Sequence, residues 1–205
     1  MIKLLAYYKK YEYEGFHFMR KILFLTLAAV MLFSFASCSQ IDSFINDTAD
    51  KGDQTIKSSE SNMTLTFPGT WTTEELNTQA SIEMACMEKE QYMIVIEESA
   101  VDYEYTIDDY ASIILNNMKA TVETADIPVI TDITIGDNIP AKQFELAGVV
   151  DKIKAKYFVV CVKANDIFYQ VVSWSLQSKY DEAKTAFIEI LNSANFNGAP
   201  TTAAQ

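Results

Sequence analysis

Six carboxylates lie between residues 97 and 109, and they are the side chains of this chain with the clearest capacity for chemistry. They are Glu97, Glu98, Asp102, Glu104, Asp108 and Asp109. Carboxylate oxygens are the ligands that Ca²⁺ prefers, but this spacing matches no EF-hand loop. Two carboxylates can also hydrolyse a glycoside if a cleft holds them at a set separation, and no pattern here indicates one. We expect a solvated acidic surface, with a carboxylate-based hydrolase or an acidic calcium site as the alternative.

The positions of histidine and arginine restrict the chemistry further. The only histidine is His17 and the only arginine is Arg20. The rest of the chain therefore has no imidazole for a Ser-His-Asp or Cys-His relay. It also has no guanidinium to clamp a phosphate or a carboxylate. We expect no catalytic residues, no metal site and no cofactor, and we predict that the protein is not an enzyme.

Two tyrosines beside the acidic residues predict a surface for a partner. Tyr103 and Tyr105 flank Glu104, and exposed aromatic side chains are typical of binding hot spots. The alternative is that these tyrosines cover the next helix, because tyrosine combines an apolar ring with a polar tip. The predicted partner-binding residues are Glu97, Glu98, Asp102, Tyr103, Glu104 and Tyr105.

The charge balance indicates which partners the protein can accept. Residues 1–37 hold five of the 16 Lys and Arg and two of the 28 Asp and Glu. The remainder has 11 lysines against 26 acids, a net charge of −15. Nucleic acid is excluded, since its binding depends on lysine and arginine neutralising phosphates. A protein partner with a basic patch is the natural complement.

Residues 19–40, MRKILFLTLAAVMLFSFASCSQ, have the layout of a secretory signal peptide. Arg20 and Lys21 precede fifteen uncharged residues, from Ile22 to Ala36, and small residues follow. A bilayer-spanning helix needs about 20 apolar residues, so this run is too short for that alternative. We therefore expect export from the cytoplasm.

Cys38 comes directly after Ala36 and Ser37, and this arrangement resembles a bacterial lipoprotein signal. The resemblance implies that residues 19–37 are removed and that Cys38 is lipidated as the mature N-terminus. The protein would then be anchored by lipid in a bacterial cell membrane or outer membrane, facing outside the cytoplasm. A cleaved signal without lipid is the alternative. Residues 1–18 precede a complete signal, so we interpret them as an extension from a mis-called start codon.

The remaining sequence predicts a tether, one domain and a tail. Residues 38–61 are rich in Ser, Asp and Thr and lack hydrophobic periodicity, which favours a flexible tether. Residues 62–197 form the predicted domain, and residues 198–205 a frayed tail. The predicted strands are 63–67, 81–87, 91–97, 129–135, 141–146, 154–163 and 167–176, with helices that begin at Thr106 and after a Ser178 cap.

This order predicts an α+β fold with a mostly antiparallel sheet. Residues 93–96 and 157–162 are apolar at every position, which indicates strands covered on both faces. Helices on both faces would make three layers. Cys86 and Cys161 are expected as buried thiols, with a disulfide as the alternative. Trp71 and Trp174 are expected to serve in core or rim packing, with a role as ligand platforms as the alternative.

Three lysines alternate along one predicted strand, and two interpretations remain open for them. Lys152, Lys154 and Lys156 lie at every second position, so they share one face. They could be gatekeepers at a sheet edge, where charges prevent edge-to-edge aggregation. They could instead be a docking site for an acidic partner.

Short motifs within residues 62–196 resemble the PsbP family. They are FPGTW at 67–71, IPAK at 139–142, the long hairpin that contains Tyr169, and SANF at 193–196. The resemblance implies an α+β fold that a small eukaryotic Ran-binding nuclear-import factor shares. Relatives with this fold mostly bind other proteins. The resemblance therefore implies a non-catalytic interaction module. It assigns no catalytic residue to any position of this chain.

Overall fold

The computed structural model describes residues 52–101, 104–124, 127–136 and 138–197. The strands are β1 (Gln54–Lys57), β2 (Thr64–Phe67), β3 (Thr72–Thr73), β4 (Ala80–Cys86), β5 (Gln91–Ser99), β6 (Thr131–Ile135), β7 (Ile139–Val150), β8 (Ile153–Ala164) and β9 (Ile167–Leu176). The helices are α1 (Ile107–Thr121) and α2 (Tyr180–Asn192), and a short 3₁₀ turn covers Met87–Lys89.

Seven strands form one sheet in the order β3-β4-β5-β9-β8-β7-β6, and every pairing is antiparallel. β8 and β9 form the predicted central hairpin. Its two-residue turn, Asn165-Asp166, has φ values of 50° and 59°. Both values fit the tight hairpin turn that Asn and Asp favour. The α+β class and the mostly antiparallel sheet are confirmed.

Alternate residues of the central strands belong to two different core clusters, because successive side chains of a strand point to opposite sides of the sheet. One cluster contains Val95, Val160 and Val171 together with the buried residues of α2. The other contains Ile94, Val159 and Val172 together with the buried residues of α1. We call the two sides of the sheet the α2 face and the α1 face.

Helix α1 begins with the capping box that the sequence predicts. The Thr106 hydroxyl accepts a hydrogen bond from the Asp109 backbone N–H at 3.2 Å, and Asp109 accepts one from the Thr106 N–H at 3.0 Å. The chain after the helix then runs close to β7 at Gly148. A Cβ on Gly148 would lie 2.4 Å from Val122 Cγ1, so only glycine permits this approach.

Helix α2 differs from the prediction at its first turn. Lys179, rather than Ser178, is the N-cap, and no side chain accepts a hydrogen bond there. Lys179 has φ −110° and ψ −2° instead of the extended conformation that a capping serine adopts. The chain leaves β9 at Leu176 through a tight turn, so Ser178 lies inside that turn and is exposed.

The prediction of a flexible tether to residue 61 is wrong for residues 54–57. These residues form β1, which pairs antiparallel with β2 from Gln54–Phe67 to Lys57–Thr64. Ile56 packs against the core on the α2 face. The strand has one partly buried apolar side chain and depends on its partner strand, which explains why its own sequence gives no strand pattern. Residues 38–51 and 198–205 lie outside the described residues.

Both cysteines of the predicted domain are buried free thiols, as expected. Cys86 belongs to the core cluster on the α2 face and Cys161 to the cluster on the α1 face. The sheet therefore separates them. Burial, and then the charge of Glu98, raise the pKa of the Cys161 thiol.

Candidate partner-binding site

The structure does not bring Glu97 and Glu98 together, although they are neighbours in sequence. They are consecutive residues of β5, so their side chains lie on opposite faces of the sheet. Glu97 Oε1 accepts hydrogen bonds from the Ser58 hydroxyl at 2.5 Å and the Ser81 hydroxyl at 2.8 Å. This carboxylate connects the segment after β1 to the main sheet.

Glu98 is bound on the other face by a residue of α1. The Tyr110 hydroxyl donates a hydrogen bond to Glu98 Oε2 at 2.5 Å. The Tyr110 ring stacks on Phe168 with 4.4 Å between centroids. Burial, and then Glu98, raise the pKa of Tyr110 well above its usual value. Glu98 therefore helps to hold α1 on the sheet.

The other predicted site residues lie on the connection between β5 and α1. Glu104 is exposed, and Tyr105 is partly buried against the core of the α1 face. Tyr105 thus adopts the covering position that was the alternative for this pair. Asp102 and Tyr103 lie outside the described residues. A partner-binding role for Glu97, Glu98, Asp102, Tyr103, Glu104 and Tyr105 stays a prediction.

An aromatic cleft is the feature that the sequence reasoning missed. Three aromatic side chains, Tyr92, Trp174 and Tyr157, lie side by side on adjacent strands β5, β9 and β8. Tyr92 and Trp174 stack at 5.3 Å with planes 13° apart, and Tyr157 lies 6.4 Å from Trp174. The cleft holds about 130 Å³ and is completed by Glu90, Val150, Ile153, Ala155, Ser175 and Leu176.

Local geometry explains why this cleft forms at one end of the sheet. The turn between β7 and β8, Asp151-Lys152, has φ values of 49° and 71°, so the strands reverse in two residues. Glu90, with φ 54°, ends the 3₁₀ turn before β5. Because side chains alternate between the two sides of each strand, Tyr92, Tyr157 and Trp174 all lie on the α1 face.

Glu90 lines the cleft, and Glu74 lies close enough to Tyr92 to affect its hydroxyl. Burial, then Glu90 and then Glu74 raise the pKa of Tyr92, while Lys179 lowers it. Lys179 also forms an ion pair with Glu90 at 2.6 Å. Burial raises the pKa of Tyr157 to about 12, so its hydroxyl is neutral at physiological pH. The cleft thus offers an apolar aromatic interior beside two carboxylates and one ammonium.

Both tryptophans pack against other aromatic rings, as expected, but Trp174 also lines the aromatic cleft. Trp71 is buried against Phe67 and Phe187, with centroids 5.4 and 6.4 Å away. Trp174 is also buried, and it forms the floor of the aromatic cleft. No local sequence pattern links residues 92, 157 and 174, because only the strand register brings them together.

The part of the chain that the structure describes contains neither a cluster of metal-binding side chains nor a helix that could span a membrane. Among these residues, no three or more His, Cys, Asp and Glu side chains are grouped to hold a metal ion. No helix within the described ranges has the length and hydropathy needed to cross a bilayer.

Comparisons with known proteins define the fold class. No protein-family model and no curated protein match this chain. Cyanobacterial PsbP from Synechocystis is similar in structure, with a TM-score of 0.54 and 12% sequence identity over 79% of this chain and 98% of that protein. A protein from Bacteroides thetaiotaomicron has a TM-score of 0.52 and 7% identity over 72% of this chain and 49% of its own. The chain therefore has a PsbP-like α+β fold.

Proposed function

We propose that this protein is a lipid-anchored, extracytoplasmic binding module that captures a protein partner with a basic patch and catalyses no reaction. Its domain would be a three-layer arrangement, with α1 and α2 on opposite faces of one sheet. The observation that carries this proposal is the aromatic cleft formed by Tyr92, Trp174 and Tyr157, with Glu74 and Glu90 close to Tyr92.

The cleft has the composition of a binding hot spot. Interfaces concentrate their energy in well-packed pockets lined by tyrosine and tryptophan. A volume of about 130 Å³ suits one apolar side chain of a partner rather than a whole substrate. A lysine or arginine next to that side chain would meet the carboxylates of Glu74 and Glu90. It would also gain cation–π attraction from the exposed part of Tyr92.

The charge of the protein supports the same partner. A net charge of −15 downstream of residue 37 attracts basic surfaces and speeds encounter with them. The absence of histidine downstream of residue 37 supports a role without acid–base catalysis, because histidine is the group that titrates near neutral pH when unperturbed.

Short capped peptides can test the cleft directly. One peptide alternates leucine with lysine, and its counterpart replaces each lysine with glutamine. Binding to the full chain in detergent is measured by peptide fluorescence anisotropy. We expect the lysine peptide to bind more tightly than the glutamine peptide. Its binding should weaken as salt rises, because salt at about 0.1 M largely screens exposed charges that are more than about 10 Å apart.

Two tyrosine variants distinguish the cleft from the loop before α1. Tyr92→Ala removes one wall of the cleft and should weaken lysine-peptide binding about tenfold, or about 1.4 kcal/mol. Tyr105→Ala is the matched control and should leave this affinity unchanged. Thermal melts confirm that both variants fold. Equal binding by wild type and Tyr92→Ala, or a loss only in Tyr105→Ala, would contradict the assignment to the cleft.

A further inference from the structure

A groove runs along β7, between residues 127–135 and helix α2. It consists of two adjoining cavities of about 420 and 250 Å³, which share Gln143. Ile127, Val129, Glu145 and Lys156 line the first cavity. Phe158, Lys184 and Ile188 line the second. We call this feature the lysine groove.

Exposed apolar side chains are concentrated at the lysine groove. Five large hydrophobic residues are exposed in the described ranges, and three of them line it. Ile127 is 88% exposed, Val129 70% and Ile188 40%. Single exposed hydrophobics are ordinary, but a group around a concave surface is typical of an interaction site.

One carboxylate and two ammonium groups lie at the centre of the groove. Glu145 Oε2 lies 2.7 Å from Lys156 Nζ, and Glu145 Oε1 pairs with Lys184 Nζ. Lys156 Nζ also lies 4.3 Å from the centroid of the buried Tyr180 ring. Partial burial opposes ionisation of Glu145, but the hydrogen bonds from both lysines outweigh it and lower the pKa of the carboxyl. The centre therefore carries one excess positive charge at neutral pH.

That excess positive charge is unusual in so acidic a chain, and it is not explained by protection of a sheet edge. β8, which carries Lys156, lies between β7 and β9, so the gatekeeper interpretation of this lysine is wrong. Each ammonium group has three donors, and the bonds to Glu145 use one donor of each. Lys156 and Lys184 can therefore both donate to a further acceptor.

We propose that the lysine groove is a second docking surface, which binds an extended acidic–apolar segment of a protein partner. Carboxylates of that segment accept hydrogen bonds from Lys156 and Lys184. Its aliphatic side chains pack on Ile127, Val129 and Ile188. The positive charge of the groove selects against basic segments. The groove would therefore bind acidic peptides, whereas the aromatic cleft would bind basic ones. This inference does not depend on the cleft.

The experiment uses a short capped peptide that alternates leucine with glutamate, together with its glutamine and lysine counterparts. Binding to the full chain in detergent is measured by fluorescence anisotropy. We expect the glutamate peptide to be preferred at the groove. Lys184→Gln should weaken its binding about tenfold. Glu145→Gln should strengthen it severalfold, because it removes the carboxylate that competes for the same two ammonium groups.

Ile127→Ser tests the apolar contact without risk to the fold, because Ile127 is almost fully exposed. It should weaken binding of the glutamate peptide, whereas Val101→Ser, at an exposed position elsewhere, should not. The proposal is overturned if no glutamate peptide binds at millimolar concentration. It is also overturned if Glu145→Gln and Lys184→Gln change the affinity in the same direction, or if Ile127→Ser has no effect. If Lys184→Gln fails to fold, the Glu145→Gln and Ile127→Ser variants decide whether the proposal stands.

Discussion

At the scale of single residues, the acidic side chains of β5 serve the fold before any partner. Glu97 accepts two serine hydroxyl hydrogen bonds and Glu98 accepts one from Tyr110. A hydrogen bond to a charged group contributes about 1.5–3 kcal/mol to stability, so replacing either carboxylate should destabilise the fold. Partner contacts are therefore better tested at exposed Glu104 or at the cleft than at these two positions.

The buried thiols give a prediction at the same scale. Burial and Glu98 raise the pKa of Cys161, so its reactive thiolate is disfavoured. Cys86 is equally inaccessible because it is 2% exposed. With iodoacetamide at pH 8, we expect neither residue to be alkylated in the folded protein and both to be alkylated in denaturant. Peptide mass spectrometry would disprove this if Cys161 reacted in the folded state as fast as a free cysteine.

At the scale of elements, the helices and strands that local periodicity determines could be predicted from the sequence. The apolar stripe of α1, its Thr106 cap and the β8–β9 hairpin follow from spacing and turn chemistry, and the structure contains all three. β1 was missed because Gln54–Lys57 contains one apolar residue and is stabilised by pairing with β2. The cleft and the groove join residues that are far apart in sequence, so they require a tertiary arrangement that local patterns do not specify.

The two helix starts provide a matched pair of substitutions. Thr106→Ala removes a side-chain cap and should lower the free energy of unfolding by about 1 kcal/mol. Ser178→Ala should have almost no effect, because no side chain caps α2 and Ser178 is exposed. Urea denaturation followed by circular dichroism measures both. Equal losses in the two variants would contradict the difference between these helix starts.

At the scale of the whole molecule, the two proposed surfaces differ in position and in charge. The aromatic cleft lies on the α1 face with Glu74 and Glu90 close to Tyr92, whereas the lysine groove lies between β6 and α2. A short peptide at one surface would therefore leave the other surface accessible. If both proposals hold, the protein would bring together two proteins, or two segments of one, and this role would require binding energy and no chemical step.

The proposed lipid anchor would decide where such a bridging role operates, and Cys38 is the residue that tests it. In the full chain expressed in bacteria, Cys38→Ala removes the predicted lipid acceptor. Membrane affinity of a lipidated protein comes from its buried acyl chains, at about 0.8 kcal/mol per methylene, so the variant should move from the membrane to the soluble fraction. Ser39→Ala, at the adjacent position, should leave the protein in the membrane. Detergent-phase partitioning and immunoblotting of membrane and soluble fractions measure the shift. If wild type and Cys38→Ala partition alike, whether both in the membrane or both outside it, the lipid anchor is wrong.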